Sequence, residues 1–240
     1  MLARAAWPEI RFGALGTTAG LRAGRLMARV LKYDIPGTDW RIALDEVRER
    51  GFADVFAPDV ARPLPLVVEI GFGRGEFLMD LALHHPEQAF VGIEVSFKRT
   101  LKMARRLART ELRNVRLVEA PAESVLREAL EDASVSRFWI NFPDPWPKKR
   151  HFKRRLIQPP FAALLARRLV PGGELHVATD HAGYAEWIDE VLSRTPGLEN
   201  VDAPRPYLRE APDERRPTAY ELEWRALGRG LYFFRYRRPA

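Results

Sequence analysis

The sequence predicts an α/β fold: a mainly parallel open sheet with helices on both faces and an antiparallel strand at the C-terminal end. Three observations carry this expectation. Between Leu66 and Ser193, short apolar runs alternate with segments of helical spacing, the pattern of strands joined by helical crossovers. A glycine-rich turn joins the first of these runs to the helix-spaced segment after it. Last, Leu231–Arg237 alternates and is aromatic, which suits a closing antiparallel strand better than another strand–helix unit.

Each element has its own warrant. Gly13–Gly20 reads as a loop and Leu21–Leu31 as a short basic helix. Trp40–Arg50 has helical periodicity and stops at Gly51, a C-terminal cap in sequence terms. Arg62-Pro63-Leu64-Pro65 then punctuates the chain, so residues 1–62 form an N-terminal extension with no role assigned and 63–240 the main domain. Strands follow at Leu66–Ile70, Ala89–Glu94, Val115–Val118, Ser136–Asn141 and Glu174–Thr179. Helices are expected at Glu76–His84, Ser96–Arg109, Ala122–Leu130, Leu156–Leu169 and Ala182–Ser193.

Composition narrows the function classes. The chain has 240 residues, a formal charge of +7 and no cysteine, which excludes disulfides, thiolate nucleophiles and cysteine metal sites. Its positive charge peaks at 148–155 and favours a polyanionic partner. The N-terminus lacks the apolar core of a signal peptide, and no run approaches membrane-spanning length. A soluble, cytoplasmic monomer with no membrane contact and no obligate protein partner is the expectation. The His84-His85 pair is read as lacking the carboxylate or cysteine companions of a metal site, so no metal is expected.

Two stretches carry chemistry. In Glu69-Ile70-Gly71-Phe72-Gly73-Arg74-Gly75-Glu76, Gly71 and Gly73 let the backbone approach a ligand where a strand passes into a helix. Glu76 stands where a nicotinamide fingerprint needs a third glycine, and its charge disfavours a pyrophosphate. Glu69 suits an ammonium or sulfonium, and Glu94, at the end of the next strand, is placed to accept two ribose hydroxyls. That combination points to S-adenosylmethionine.

The second stretch runs from Asn141 to Arg155. Pro143, Pro145 and Pro147 forbid helix and central strand, leaving a stiff loop that carries Asp144 and Trp146 ahead of a basic run. Lys148, Lys149, Arg150, Lys153, Arg154 and Arg155 are candidates for phosphate contacts, and Trp146 for stacking on a base or wedging the loop onto the sheet. Asp180, after the fifth strand, is a candidate cap for the helix at Ala182, a role that does not exclude a second one in binding.

Four segments together resemble the tRNA (guanine-N7-)-methyltransferases: Val68–Glu76, Gly92-Ile93-Glu94, the Phe142-Pro-Asp-Pro-Trp-Pro-Lys-Lys-Arg-His151 run, and Ala178–His181 with Tyr184. The resemblance implies a Rossmann-like methyltransferase fold with Glu69 and Glu94 on S-adenosylmethionine and Asp144 as the acid at the reacting centre. It also implies that Lys148, Asp180 and the segment from Thr218, including Glu221, face a guanosine of the tRNA variable loop. Two departures stand out. Pro121 occupies the place of an acidic or amide residue that binds adenine, leaving Glu119, Glu123 or the Ala122 N–H to substitute. Beyond Thr218 and Glu221, Leu222-Glu223 replaces a basic pair. A non-catalytic RNA-binding protein with a degenerate pocket is the alternative.

Overall fold

The computed structural model describes residues 33–60, 63–212, 215 and 217–240. The expected loop at Gly13–Gly20 and helix at Leu21–Leu31 lie outside the described residues. From residue 33 onward the chain forms one compact unit. Its elements are β1 (Arg41–Ile42), α1 (Leu44–Phe56), β2 (Leu66–Ile70), α2 (Glu76–His84), β3 (Ala89–Glu94), α3 (Phe97–Leu107), β4 (Val115–Glu119) and α4 (Ala122–Glu128). Then come β5 (Val135–Asn141), a 3-10 segment (Lys149–Arg154), α5 (Pro159–Arg168), β6 (Leu169–Thr179), α6 (Ala182–Ser193), β7 (Glu199–Asn200), α7 (Ala219–Ala226) and β8 (Tyr232–Arg237).

The strands form one sheet in the order β1-β4-β3-β2-β5-β6-β8-β7. All pairings up to β6 are parallel, and β8 runs antiparallel to both β6 and β7, as its alternating aromatic sequence predicts. Because side chains alternate along a strand, β2 sends Val68 and Ile70 to one face and Val67 and Glu69 to the other. The first face carries a core with α1, α4, α5 and α6; the second, with α2 and α3, packs around Val67, Phe90 and Trp139. Burial on both faces is why these strands read as nearly unbroken apolar runs.

Sequence and structure differ at several places, among them β7 and α7, which are not among the elements expected from sequence. Trp40–Arg50 is not one helix: Arg41–Ile42 pairs with Leu117–Val118 as an edge strand, and α1 begins only at Leu44. Gly51 interrupts α1 rather than ending it, with φ 75° and ψ 158°. The expected Leu156–Leu169 helix starts later, at Pro159, where proline suits the first helical turn. Its predecessor is the basic 3-10 segment, and Leu169 already belongs to β6.

Candidate active site

The strand order reverses between β2 and β5, and the crevice outside the carboxyl ends of these strands is where open α/β sheets bind ligands. Two adjoining cavities of about 360 and 400 Å3 lie there, sharing Gly71, Arg99, Asn141, Phe142 and Asp144 in their walls. Glu94, Ala120, Ala122 and Trp146 line one of them; Glu69, Gly73, Thr218 and Tyr220 line the other.

Glu69 is buried on the same face as Trp139. One carboxylate oxygen accepts a hydrogen bond from Asn141 Nδ2 at 3.2 Å, and the other is buried without a partner. Burial pushes its carboxyl up to about 7, against the opposing pull of the Asn141 hydrogen bond and the Arg215 charge, with Glu94 adding a smaller upward push. A buried acid with an unpaired acceptor oxygen is what a cationic ligand would complete. Glu94, also buried, receives the Gly73 N–H at 3.1 Å and the Ser96 N–H at 3.0 Å, and Arg99 approaches it at 3.5 Å. It therefore fixes the glycine turn against the start of α3 before any ligand arrives.

The glycine turn is shaped by its neighbours. Gly71 has φ +75° and a Cβ there would point into open space, on the cavity side. Gly75, at φ +73°, has no such room: a Cβ would run into the Met103 side chain of α3. A buried acid with an unpaired oxygen and a glycine turn open to the cavity fit the cofactor expected from sequence.

At the adenine end neither carboxylate offered as a substitute for Pro121 is at the cavity. Glu119 is exposed, and exposed Glu123 pairs with Arg127 at 2.5 Å. Ala120 and Ala122 form the wall instead. Pro121 is the N-cap of α4, so the Ala122 N–H belongs to the helix's first turn, where N–H groups have no partner within the helix.

The loop after β5 projects Asp144 over both cavities. Phe142 and Trp146 adopt positive φ (52° and 41°), a conformation that non-glycine residues hold only when their surroundings enforce it. The enforcing contacts are visible. The Phe142 N–H donates to Ala178 O at 2.8 Å, and Phe142 packs on Tyr220 with ring centroids 4.9 Å apart. Trp146 sits between the Arg154 guanidinium, 5.0 Å from its ring centroid, and His151 at 5.7 Å.

Arg155 corrects the reading of the basic run. It is buried, donates to Pro145 O at 3.0 Å and lies 3.7 Å from the Phe152 ring centroid, so it pins the loop and is not open to phosphate. The other five cations of the run are exposed. Lys148 stands at the start of the 3-10 segment, outside the cavity walls. Away from the crevice, the His84 and His85 rings each do have a carboxylate neighbour, Asp80 and Glu87, but no group of three potential metal ligands forms among the described residues.

Asp180 does not cap α6; His181 does, its Nδ1 accepting the Tyr184 N–H at 3.2 Å. Asp180 is left at the rim, where Tyr220 Oη donates to it at 3.4 Å and Arg229 approaches at 3.6 Å. Thr218 caps α7, accepting the Glu221 N–H at 3.0 Å. Glu221 faces inward: fully buried, it pairs with Arg215 and Arg225. Arg215 in turn donates to Asn141 Oδ1 at 2.9 Å, so a chain of polar groups runs Glu221–Arg215–Asn141–Glu69. Sequence reasoning missed Asn141 and Arg215. The one available signal was an amide at a strand end beside the conspicuous loop.

Comparison with known proteins identifies the family. Residues 63–234 match a family model described as "Putative methyltransferase". A tRNA (guanine-N(7)-)-methyltransferase of Acidithiobacillus ferrooxidans is 47% identical over 174 residues, 72% of this chain and 76% of the relative. The protein of the same name from Thiobacillus denitrificans is 40% identical over 232 residues, covering 92% of this chain and 99% of the relative. Among solved structures, the 16S rRNA methyltransferase KamB superposes with a TM-score of 0.55 at 14% identity, over 82% of this chain and 92% of that one, a likeness of fold. By its sequence relatives and its family model, the chain belongs to the tRNA (guanine-N7-)-methyltransferase family.

Proposed function

We propose that the protein transfers the methyl group of S-adenosylmethionine to N7 of a guanosine in tRNA, giving 7-methylguanosine. The observation that carries this reading is the convergence of Glu69, Glu94 and Asp144 on one crevice beside a loop edged with exposed cations. The relatives bearing the corresponding name support the choice of reaction and RNA.

The cofactor supplies an electrophilic methyl on a sulfonium. Guanine N7 has a lone pair and no proton, so the protein needs no base to deprotonate it. Its task is alignment, which is worth up to roughly 7–11 kcal/mol when geometry is ideal. Glu69 and Glu94 hold the cofactor's charged and ribose ends, and the Ala122 N–H meets the adenine. Asp144 faces the purine and stabilises the positive charge that develops on it. Asp180, at the rim, accepts from the guanine N1/N2 edge, which offers only donors. The wall around Thr218 completes the guanosine site, Lys148 meets the guanosine from outside the cavity, and Glu221 serves the site from behind, through Arg215.

Side chains do not reach N7 in the deep groove of a regular A-form helix, so the target is a guanosine in a loop, the variable loop in this family. A cytoplasmic monomer acting without a protein partner completes the proposal. Among the described residues no helix is long and apolar enough to cross a membrane. The deciding experiment incubates the full chain with tRNA and methyl-labelled S-adenosylmethionine, then analyses the nucleosides. Label in 7-methylguanosine is expected. RNA binding without transfer would favour a non-catalytic binding protein, and label on another atom would overturn the assignment.

A further inference from the structure

Many exposed arginines of this protein are neutralised by a neighbouring carboxylate. Arg48, Arg50, Arg127, Arg167, Arg194 and Arg237 each have a carboxylate partner. Other exposed cations among the described residues have no ion pair, Arg74, Arg113, Arg205 and Arg209 among them, and they are concentrated in two segments, the loop at 148–155 and α3. Lys98, Lys102 and Arg105 along α3, with Arg109 in the turn that follows, fall within a narrow arc at 3.6 residues per turn and run for about 16 Å. The opposite side of the helix is the buried stripe of Thr100, Leu101, Met103, Ala104 and Leu107.

Among the described residues none of these four cations makes an ion pair, and Lys98, Lys102 and Arg109 are exposed. The helix itself contains no acidic residue. Position matters as much as charge. The stripe begins beside Arg99, which lines both site cavities, and the wall of one of them also holds Trp146 and Arg154 of the basic loop. The crevice therefore lies between two cationic edges.

Resting on the tRNA-methyltransferase reading, we propose that the exposed face of α3 is a second phosphate-binding track, gripping the tRNA backbone on the side of the crevice opposite the basic loop. A nucleotide presented to Asp144 has backbone leaving it in two directions. One cationic edge accounts for only one of them. Contacts of this kind position the RNA and carry no sequence information.

The test compares two variants of the full chain in tRNA binding across a salt series. One carries Lys98→Ala, Lys102→Ala and Arg109→Ala; the other carries Lys149→Ala, Lys153→Ala and Arg154→Ala. The α3 variant is expected to bind tRNA about tenfold or more weakly at low salt, with its log–log salt slope reduced by about 0.7–0.9 for each phosphate no longer neutralised. S-adenosylmethionine binding should be unchanged. The double charge reversal Lys98→Glu with Lys102→Glu should weaken binding further. If the loop variant loses affinity and the α3 variant keeps both affinity and slope, the second track is wrong and the tRNA reading survives. If neither variant changes binding, the RNA reading itself fails.

Discussion

At the scale of single residues, the site depends on carboxylates doing different work in different surroundings. Glu94→Ala removes the acceptor of two backbone N–H groups and, on the proposed reading, of the ribose hydroxyls. It should weaken S-adenosylmethionine by about 1.5–3 kcal/mol in calorimetric titration, the range for hydrogen bonds to a charged group. Asp144 is exposed, and on the proposed reading it works on a charge that appears mainly during transfer. Asp144→Asn should slow single-turnover methyl transfer by about 10²–10³-fold while leaving cofactor and tRNA affinities nearly intact. A near-normal rate at saturating tRNA would make Asp144 a loop pin only. Glu69 gives a pH signature. Its carboxyl is raised to about 7 in the free protein, and a cationic ligand favours the ionised form, so binding below neutrality must release a proton. Cofactor affinity should rise from about pH 6 to 8 and then level off, and Glu69→Gln should flatten the profile. Folding has the opposite sign. Between the ordinary carboxylate value and about 7 the unfolded chain is ionised while the folded one holds its proton, so this group's contribution to stability falls as pH rises through that window.

At the scale of elements, the glycine turn joins local conformation to packing. Gly75→Ala places a Cβ at positive φ against Met103 and should lower the unfolding midpoint by an amount equivalent to about 1–3 kcal/mol. An unchanged midpoint in chemical denaturation would show that α3 yields easily. Elements such as this turn were legible because each carries its own local signal. Strands β2 to β6 are apolar on both faces, and the turn after β2 concentrates glycine. β1 was not legible: two residues that pair with β4 leave no periodicity to read, and the Trp40–Arg50 pattern reported the helix behind it. The basic 3-10 segment was equally opaque, since it has no apolar face and owes its path to contacts of Arg155 with Pro145 and Phe152. Arg155 shows the limit of composition. It belongs to the basic run by sequence and to the interior by structure, so its charge reports nothing about RNA.

At the scale of the whole molecule, the last part of the chain is wired to its first central strand. Glu221 at the start of α7, Arg215 before it, Asn141 at the end of β5 and Glu69 near the end of β2 form one polar line through the interior. Partners 72 and 74 positions apart in sequence leave no local pattern, so sequence could name Glu69 and Glu221 without seeing that they are connected. The energetics of such a line are asymmetric, because an unpaired buried charge costs more than a missing pair. Glu221→Gln leaves Arg215 buried against neutral groups and should cost about 3–5 kcal/mol in urea unfolding, whereas Arg215→Met combined with Glu221→Leu should cost much less. The same pair of variants reads out the link to the cofactor. The Arg215 charge draws the Glu69 carboxyl downward against its burial, so removing that charge should move the rise in S-adenosylmethionine affinity to higher pH. The double variant, stable enough to titrate, is the one to measure. A midpoint that stays in place would mean that the C-terminal helix is anchored to the sheet by this line without tuning the acid at the far end of it.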